Sequence, residues 1–500
     1  MISNFVNNEQ ISIIIGVTGH RDLSNVNIDS FKFIIKQQLQ NIINKCPNTK
    51  IKLLTSLAEG ADQLCAEVAL ELGINIIVPL PMEIADYVKD FKDESLIKFN
   101  SLLKKAERSF VVPYIEETNK IDRDYKYRQA GIYIASHCHC MMALWDGSKP
   151  KENGCGTADV VDMVLNHSYR SDEKRIKDND GFVIHINTPR IIEEENQAGE
   201  ITYLGNQELF NECCIKIDTL NKEGKDPDKL SIESGKKYHN TLKLLAVFGT
   251  IITIAFLLYD EAFLSFMLIV LGMTLAFMYI SYKYAIKSEY HEKYIEYREL
   301  AECIRIQNHL DKSGYEYEVA DYLDYSRCFD TMWIYKTMKA FCVTRTIEET
   351  EDIKNDWLLE QYEYHSRASI KTDKSIKHNN AIVKSSMFAS IVLYIFAFIF
   401  EYIVSSKLTN NIELIRTIIK TTIGGFSAMS LFAANYYGKL SLDRVYEDHV
   451  RMAEFFKKAI EYADKNDIDE KFIKELINEE LSENSNWCSY EKDNKIDLTV

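Results

Sequence analysis

Proline is scarce in this chain, with 7 in 500 residues, and glycine numbers only 19. So little turn-forming material argues against a turn-rich β protein and for long helices. Basic charge is in deficit: 59 Lys and Arg face 75 Asp and Glu, a formal net charge of −16. Non-specific binding of DNA or RNA needs a basic face, so nucleic acid is not an expected partner. The 11 cysteines are irregularly spaced and do not form a disulfide framework. They point to reduced thiols in a cytoplasmic compartment. The first residues, MISNFVNNEQ, lack a basic start and an apolar core, so no signal peptide is expected. The length predicts about three structural units and can bury a sizeable core.

The mean hydropathy of −0.21 hides four uncharged apolar runs. Leu244–Tyr259 has 16 residues, Ala262–Tyr282 has 21, Ser385–Phe400 has 16 and Thr421–Gly438 has 18. A membrane span takes roughly 17–25 apolar residues. The shorter runs reach about 24 Å as helices, and Lys243 and Lys384 beside them can snorkel. Buried core helices of a soluble protein are the competing reading. Pairing and charge oppose it. The runs come as two hairpins, and Lys236, Lys237, Lys243, Lys283, Lys287 and Lys293 flank the first while its connection carries Asp260 and Glu261. Lys371, Lys374, Lys377 and Lys384 precede the second hairpin, and Lys439, Arg444 and Arg451 follow it. The positive-inside rule then places the tips outside and the rest in the cytoplasm. The second tip, with Lys407, Arg416 and Lys420, fits this rule less cleanly.

The hairpins read as copies. Lys243 and Asp260 bracket the first span, and Lys384 and Glu401 bracket the third at an offset of 141. Beyond the second and fourth spans the offset is 152, where Tyr284, Lys287, Tyr294, Ala301 and Glu302 match Tyr436, Lys439, Tyr446, Ala453 and Glu454. Each unit is a spanning hairpin continuing into a long cytoplasmic helix, over Tyr290–Leu310 and Val445–Tyr462. The runs hold no ionisable residue, so an internal proton relay or voltage sensor is not expected. Thr250, Thr253, Thr274, Thr421, Thr422, Ser427 and Ser430 either face water or pack helices together, and packing is favoured. Gly424 with Ala428, and Gly272 with Ala276, have the small-xxx-small spacing of close helix approach.

Residues 11–190 alternate strands and helices. Strands are predicted at Ile11–Val17, Lys50–Ser56, Ile74–Pro79, Ser109–Pro113, Cys140–Trp145 and Phe182–Ile186. Helices are predicted at Ser30–Lys45, Gly60–Leu72, Leu96–Ala106, Tyr127–Ser136 and Thr157–Leu165. This is the pattern of a doubly wound parallel α/β sheet, which binds ligands at the carboxyl ends of its strands. Three such ends carry glycine turns: GVTGHRD at 16–22, SLAEGAD at 56–62, and ALWDG at 143–147 followed by GCGTADVV at 154–161. Exposed amides there can cradle phosphate, and Arg21 can grip it bidentately. Gly-containing strand-to-helix turns are mostly just turns; three in one sheet point to a nucleotide pocket.

Those motifs resemble the SLOG superfamily of Rossmann-like nucleotide-binding domains, which includes the LOG phosphoribohydrolases, the DNA-processing protein A fold, sensor domains of bacterial defence systems and the cytoplasmic head of melastatin-type channels. The hairpins with their trailing helices, YRELAE at 297–302 and VRMAE at 450–454, resemble SLATT, a two-span membrane effector family often coupled to SLOG heads. Together the two resemblances cover most of the chain. They imply a membrane-anchored effector of antiphage immunity that senses a nucleotide-derived second messenger, of ADP-ribose or cyclic-nucleotide type. The LOG enzymes carry PGGxGTxxE with a catalytic Glu. Aligned through Gly156 and Thr157, that position is Val160 here, Asp159 sits one residue early, and the start reads Glu152-Asn153-Gly154. A helix turns about 100° per residue, so Asp159 points elsewhere. The departure favours binding without turnover.

His137-Cys138-His139-Cys140 invites a metal reading, but adjacent ligands rarely close a tetrahedron and no second pair exists. His20 touches a phosphate or hydrogen-bonds the turn. Tyr127 and Arg128 stack on and clamp a nucleotide, or form a solvated helix end. Cys213-Cys214 lies in a linker helix, and Glu193–Glu195 is a solvated charged stretch.

The expected organisation is a Rossmann-like nucleotide-binding domain at 1–200 and a linker helix at 201–240. A first hairpin unit at 241–380 has spans at about 244–259 and 262–282. A second at 381–500 has spans at about 385–404 and 417–438. The expected ligand-binding residues are Thr18, Gly19, His20, Arg21, Ser56, Glu59, Gly60, Asp62, Arg128, Asp146, Gly154, Gly156, Thr157 and Asp159, with no metal and no cofactor beyond the signal nucleotide. Expected partners are the bilayer, further copies of the chain and a signal-producing enzyme, at the inner membrane. The alternative is a tethered phosphoribohydrolase or NAD-cleaving enzyme with Glu59, Asp146 or Asp159 as acid/base.

Overall fold

The computed structural model describes residues 10–23, 28–114, 121–150, 156–166, 180–189, 198–262, 264–323, 331–404 and 412–496. The chain forms two compact units. The first runs to Asp226 and takes in Tyr317–Thr346 as well; the second holds Pro227–Glu316 and Ile347–Val500.

The first unit is built on a seven-stranded sheet. Its elements are β1 (Ile13–Gly19), α1 (Ile28–Lys45), β2 (Ile51–Leu54), α2 (Ala61–Glu71), β3 (Asn75–Leu80), α3 (Ile84–Tyr87), α4 (Asp93–Lys105), β4 (Arg108–Val111), α5 (Arg123–His137), β5 (Cys140–Trp145), α6 (Thr157–Asn166), β6 (Phe182–Asn187), β7 (Ile201–Gly205) and α7 (Gln207–Glu223). The strand order is β4-β3-β2-β1-β5-β6-β7. All neighbouring pairs are parallel except β6 with β7, which is antiparallel. β1, β2 and β5 are mainly apolar and buried along most or all of their length, with Lys52 of β2 paired to Glu107. Continuous Ile, Leu and Met suit a parallel strand covered on both faces. The order reverses direction at the β1–β5 junction, where Rossmann-like sheets open a crevice.

In the second unit, α8 (Pro227–Ala262), α9 (Met267–Lys287) and α10 (Tyr290–Lys312) precede the return of the chain to the sheet unit. That return carries α11 (Met332–Thr344). α12 (Leu359–Ile399), α13 (Ile412–Gly438), α14 (Leu442–Ala463) and α15 (Glu470–Asp493) complete the second unit. Gly224, left-handed at φ 59°, ends α7, and Pro227 opens α8, each at the helix end it suits. Among the described residues, four helices are long and apolar enough to cross a membrane. They leave apolar side chains outward: Phe388 is 67 % exposed, Leu431 68 % and Ile269 65 %. A soluble core would bury such residues, so the outward faces suit a bilayer.

Ser390, Ser427 and Ser430 of the spans bond across to a neighbouring helix, whereas Thr422 bonds within its own helix and Thr421 Oγ1 has no hydrogen-bond partner among the described residues. Thr250, Thr253 and Thr274 donate to carbonyls one turn back on their own helices. Ser390 and Ser427 hydroxyls meet at 2.9 Å between α12 and α13. A Cβ on Gly249 would stand 2.5 Å from the Phe432 ring, and one on Gly424 would stand 2.3 Å from Leu257. Around Gly272 the space is open. The basic residues of the second tip are neutralised locally. Arg416 clasps Glu401, with Nε to Oε2 at 2.9 Å, and Lys420 meets Glu261 at 2.8 Å. Lys407 lies outside the described residues.

Three expectations change. Residues 201–240 are not one linker helix: β7 extends the sheet edge, α7 packs in the first unit, and α8 already begins at Pro227. The second hairpin helix starts at Met267 rather than Ala262, because Leu264–Phe266 form a turn. The described residues of 317–346, namely 317–323 and 331–346, do not extend the hairpin. They join the sheet unit, where Ala340 and Val343 share a core with Ile14, Ile134 and Met141. A buried ion cluster holds them. Glu318 accepts from Lys339 Nζ at 2.7 Å and lies 2.9 Å from His137 Nε2; Lys339 also reaches Asp321 at 2.6 Å. Lys336 lies 3.4 Å from Asp180, each 5 % exposed.

Candidate functional site

The parallel strands bring the three glycine turns to one edge of the sheet. At the end of β1, Thr18 and Gly19 register with Ala143 and Leu144 of β5. A Cβ on Gly19 would stand 2.3 Å from the Ala61 Cβ and 2.8 Å from the Leu144 carbonyl. Glycine is required there because β1, β5 and the start of α2 converge on that point. His20 closes the junction. Its N–H donates to Leu144 O at 3.0 Å, and its carbonyl accepts from Ala61 N–H at 3.1 Å. Its ring is 5 % exposed, and Nε2 accepts from the Asp146 amide at 3.1 Å. The His20 ring thus hydrogen-bonds the turn.

The loop from β2 to α2 is strained. Leu57, fully buried, holds φ 56°, and Gly60 holds φ 88°. A non-glycine residue in this region costs about 1–3 kcal/mol and persists only where its surroundings impose it. A Cβ on Gly60 would stand 2.4 Å from the Arg21 carbonyl and 2.5 Å from that of His20. The β1 and β2 turns therefore touch through backbone. Buried Asp62 braces the loop, accepting from Thr55 Oγ1 at 3.0 Å and from the Ala58 amide at 3.4 Å. Burial pushes its carboxyl up to about 6, against the pull of those hydrogen bonds and of Arg21. The Ser56 hydroxyl donates to Pro79 O at 2.7 Å, toward β3. Glu59 is half-buried near the loop tip.

Arg21 leaves the β1 turn exposed, its guanidinium 5.0 Å from the centre of the Tyr127 ring on α5. The Tyr127 hydroxyl donates to Asp90, which also accepts from Arg123 Nε at 3.1 Å. Burial would raise the Asp90 carboxyl, but the Arg123 and Tyr127 hydrogen bonds hold it below the ordinary range. Tyr87 lies 6.0 Å from Tyr127, and its hydroxyl donates to the Ser56 carbonyl at 3.2 Å. Asp90, Arg123 and Tyr87 were not legible as site residues, since no motif joins them to Arg21. Arg128, one position past Tyr127, is half-buried and already partnered.

At the third turn, Asp146 accepts from the Ser148 amide at 2.9 Å and lies 3.3 Å from His20 Nε2. Burial would raise its carboxyl; the hydrogen bonds from Ser148 bring it below the ordinary value. Asp159 accepts from the Gly156 amide at 2.8 Å, capping α6 from inside its first turn. Thr157 opens α6 half-buried. Gly154 lies outside the described residues. The structure thus joins Gly19, His20, Arg21, Gly60 and Asp146 through direct contacts, with Thr18 in the β1 end. It directs Ser56 toward β3 and gives Asp159 to the cap of α6.

The His-Cys-His-Cys stretch uses most of its polar atoms within the fold, while the buried His139 Nε2 has no hydrogen-bond partner among the described residues. His137 faces Glu318, and His139 Nδ1 accepts from the Ile14 amide at 3.1 Å. Burial, with Lys336 nearby, lowers His139 to about 3, so it is neutral. Burial raises the Cys138 thiol to about 11. Among the described residues, no three His, Cys, Asp or Glu side chains are grouped to hold a metal ion. No family model matches the chain, and no curated protein matches it.

Proposed function

We propose that the chain is a membrane-anchored sensor-effector. Its sheet unit binds a nucleotide-derived signal, and its four long apolar helices turn binding into membrane permeation. The observation that carries this reading is Arg21: a residue exposed at the β1 turn whose guanidinium lies over the Tyr127 ring beside the strained Leu57–Gly60 loop, at the reversal point of a parallel sheet. A fixed cation on an aromatic face, next to the start of α2, suits a phosphate with a base or ribose alongside. The SLOG-like motifs support the ligand class, and the SLATT-like hairpins support the effector role in antiphage defence. Basic residues flanking both hairpins support a cytoplasmic sheet unit at the inner membrane, and the Arg416–Glu401 and Lys420–Glu261 pairs remove part of the second tip's conflict with that orientation.

Coupling has a covalent route. The chain passes between the two units three times, at 226–227, 316–317 and 346–347. A ligand-driven shift of the sheet unit reaches the helices through three tethers, provided the ligand binds the active arrangement more tightly. Assembly of several copies would then form the permeation path. The enzymatic alternative places Glu59, Asp146 or Asp159 as acid/base. Asp146 and Asp159 are engaged by the turn and the α6 cap, which supports binding without turnover.

The test uses full-length protein in proteoliposomes, with conductance measured against ADP-ribose, cyclic ADP-ribose and cyclic dinucleotides. One of these should open a conductance that Arg21→Ala abolishes while the protein still inserts and assembles. An Arg21→Ala response equal to the parent's removes the pocket assignment. Release of free base from NAD or nucleoside monophosphates would favour the enzyme.

A further inference from the structure

The second unit holds a cavity of about 590 Å³ whose walls include Glu491, Trp487, Tyr294, Tyr436, Lys243 and His378. Glu491 lies on α15, outside the spans. It is 2 % exposed, and its Oε2 has no hydrogen-bond partner. Among the described residues, no lysine, arginine or histidine side chain forms an ion pair with it. Burial alone drives its carboxyl up to about 7. A buried carboxyl without a cation is kept neutral by its proton, and an arriving cation would displace that proton.

The surroundings describe what would complete it. Trp487 and Tyr294 meet edge-on at 5.1 Å and 89°, lining the same space. Indole and phenol faces attract an ammonium group. An unpartnered carboxylate oxygen asks for a hydrogen-bond donor, which a primary ammonium has and a quaternary one lacks. Depth in the fold narrows the source. Lys243 immediately precedes the first uncharged run, Ile382 lies just before the third, and Tyr436 lies two residues before the end of the fourth, and all three line this cavity. The cavity therefore sits at the level where the apolar helices become charged, the level of lipid headgroups. Lys243, exposed at the start of the span, supplies a cation for a headgroup phosphate.

We propose that this cavity binds the phosphoethanolamine headgroup of a phospholipid, with its ammonium on Glu491 among Trp487 and Tyr294 and its phosphate toward Lys243. The inference rests on the membrane reading, but not on the nucleotide site.

The test is native mass spectrometry of the full chain in detergent, supplied with equal amounts of phosphatidylethanolamine, phosphatidylcholine and phosphatidylglycerol. Phosphatidylethanolamine should be retained preferentially, and Glu491→Gln should cut its retention about tenfold. Trp487→Phe, which keeps an aromatic wall, should lose less. Unchanged retention in Glu491→Gln, or a preference for phosphatidylglycerol, overturns the site. Binding of free O-phosphoethanolamine without any lipid preference overturns the lipid assignment. Alkaline carbonate extraction of membranes separates the two failures. Protein released by carbonate sinks the membrane reading itself, whereas protein that stays while Glu491→Gln binds normally sinks only this proposal.

Discussion

Glu289 and Ser441, 152 residues apart, both hold a left-handed backbone, with φ of 53° and 48°. Each is the residue just before the helix that follows a hairpin, α10 after Glu289 and α14 after Ser441. The same spacing relates Tyr284 to Tyr436 and Ala301 to Ala453. α10 packs on α8, and α14 packs on α12, in matching fashion. An uncommon backbone state recurring at one offset is strong support for a duplicated unit, because neither residue type favours it.

These two joints are strained without a glycine. Glu289→Gly and Ser441→Gly should each raise stability by about 1 kcal/mol, read as a higher melting temperature of the full chain in detergent. A lower melting temperature would mean that the side chains, and not the backbone angle, hold the joints.

Gly60 combines φ 88° with no room for a Cβ, the nearest atom being the Arg21 carbonyl at 2.4 Å. Gly60→Ala should cost about 2–4 kcal/mol and remove ligand response. Gly73 has φ 73° and open space around it. Gly73→Ala should cost only about 1 kcal/mol. Comparable losses in both melts would refute the close approach of the β1 and β2 turns.

Burial pushes the Asp62 carboxyl up to about 6 from an ordinary value of 3.8. A raised carboxyl contributes stability that is complete below about pH 4 and lost as pH rises through 6. The loss is at most about 3 kcal/mol. Asp62→Asn should flatten that part of the profile, so the variant gains on the parent between pH 4 and 7. A parallel pair of stability–pH curves would show that Asp62 is not buried as described.

Glu318 anchors the returning segment. Its burial would raise its carboxyl, but His137 and Lys339 hold it far below the usual range. Glu318→Ala leaves Lys339 buried with Asp321 as its remaining partner and should cost about 3–5 kcal/mol. It should also speed limited proteolysis within 317–346. A protease-resistant segment in that variant would assign its attachment to the apolar contacts of Ala340 and Val343.

The strands were largely legible: β5 coincides with the predicted Cys140–Trp145, and β1 is displaced by two residues. Uninterrupted Ile, Leu and Met betray a buried parallel strand. β7 was missed because an edge strand, with Thr202, Tyr203 and Gly205 exposed, carries no such run. The glycine turns were visible as sequence, yet Asp90 and Arg123 were not. Their link to Arg21 passes through Tyr127 of α5, far along the chain from the β1 turn.

Local pattern alone determined the four apolar runs, the parallel strands and the 152-residue spacing, since period and composition act over a few turns of chain. Only the tertiary structure decided which polar groups are already spoken for. His20 is tied to Asp146 across 126 residues, and Arg108 donates to the Val343 carbonyl across 235. Such pairings follow from which faces pack together, and that choice is made by the whole core at once.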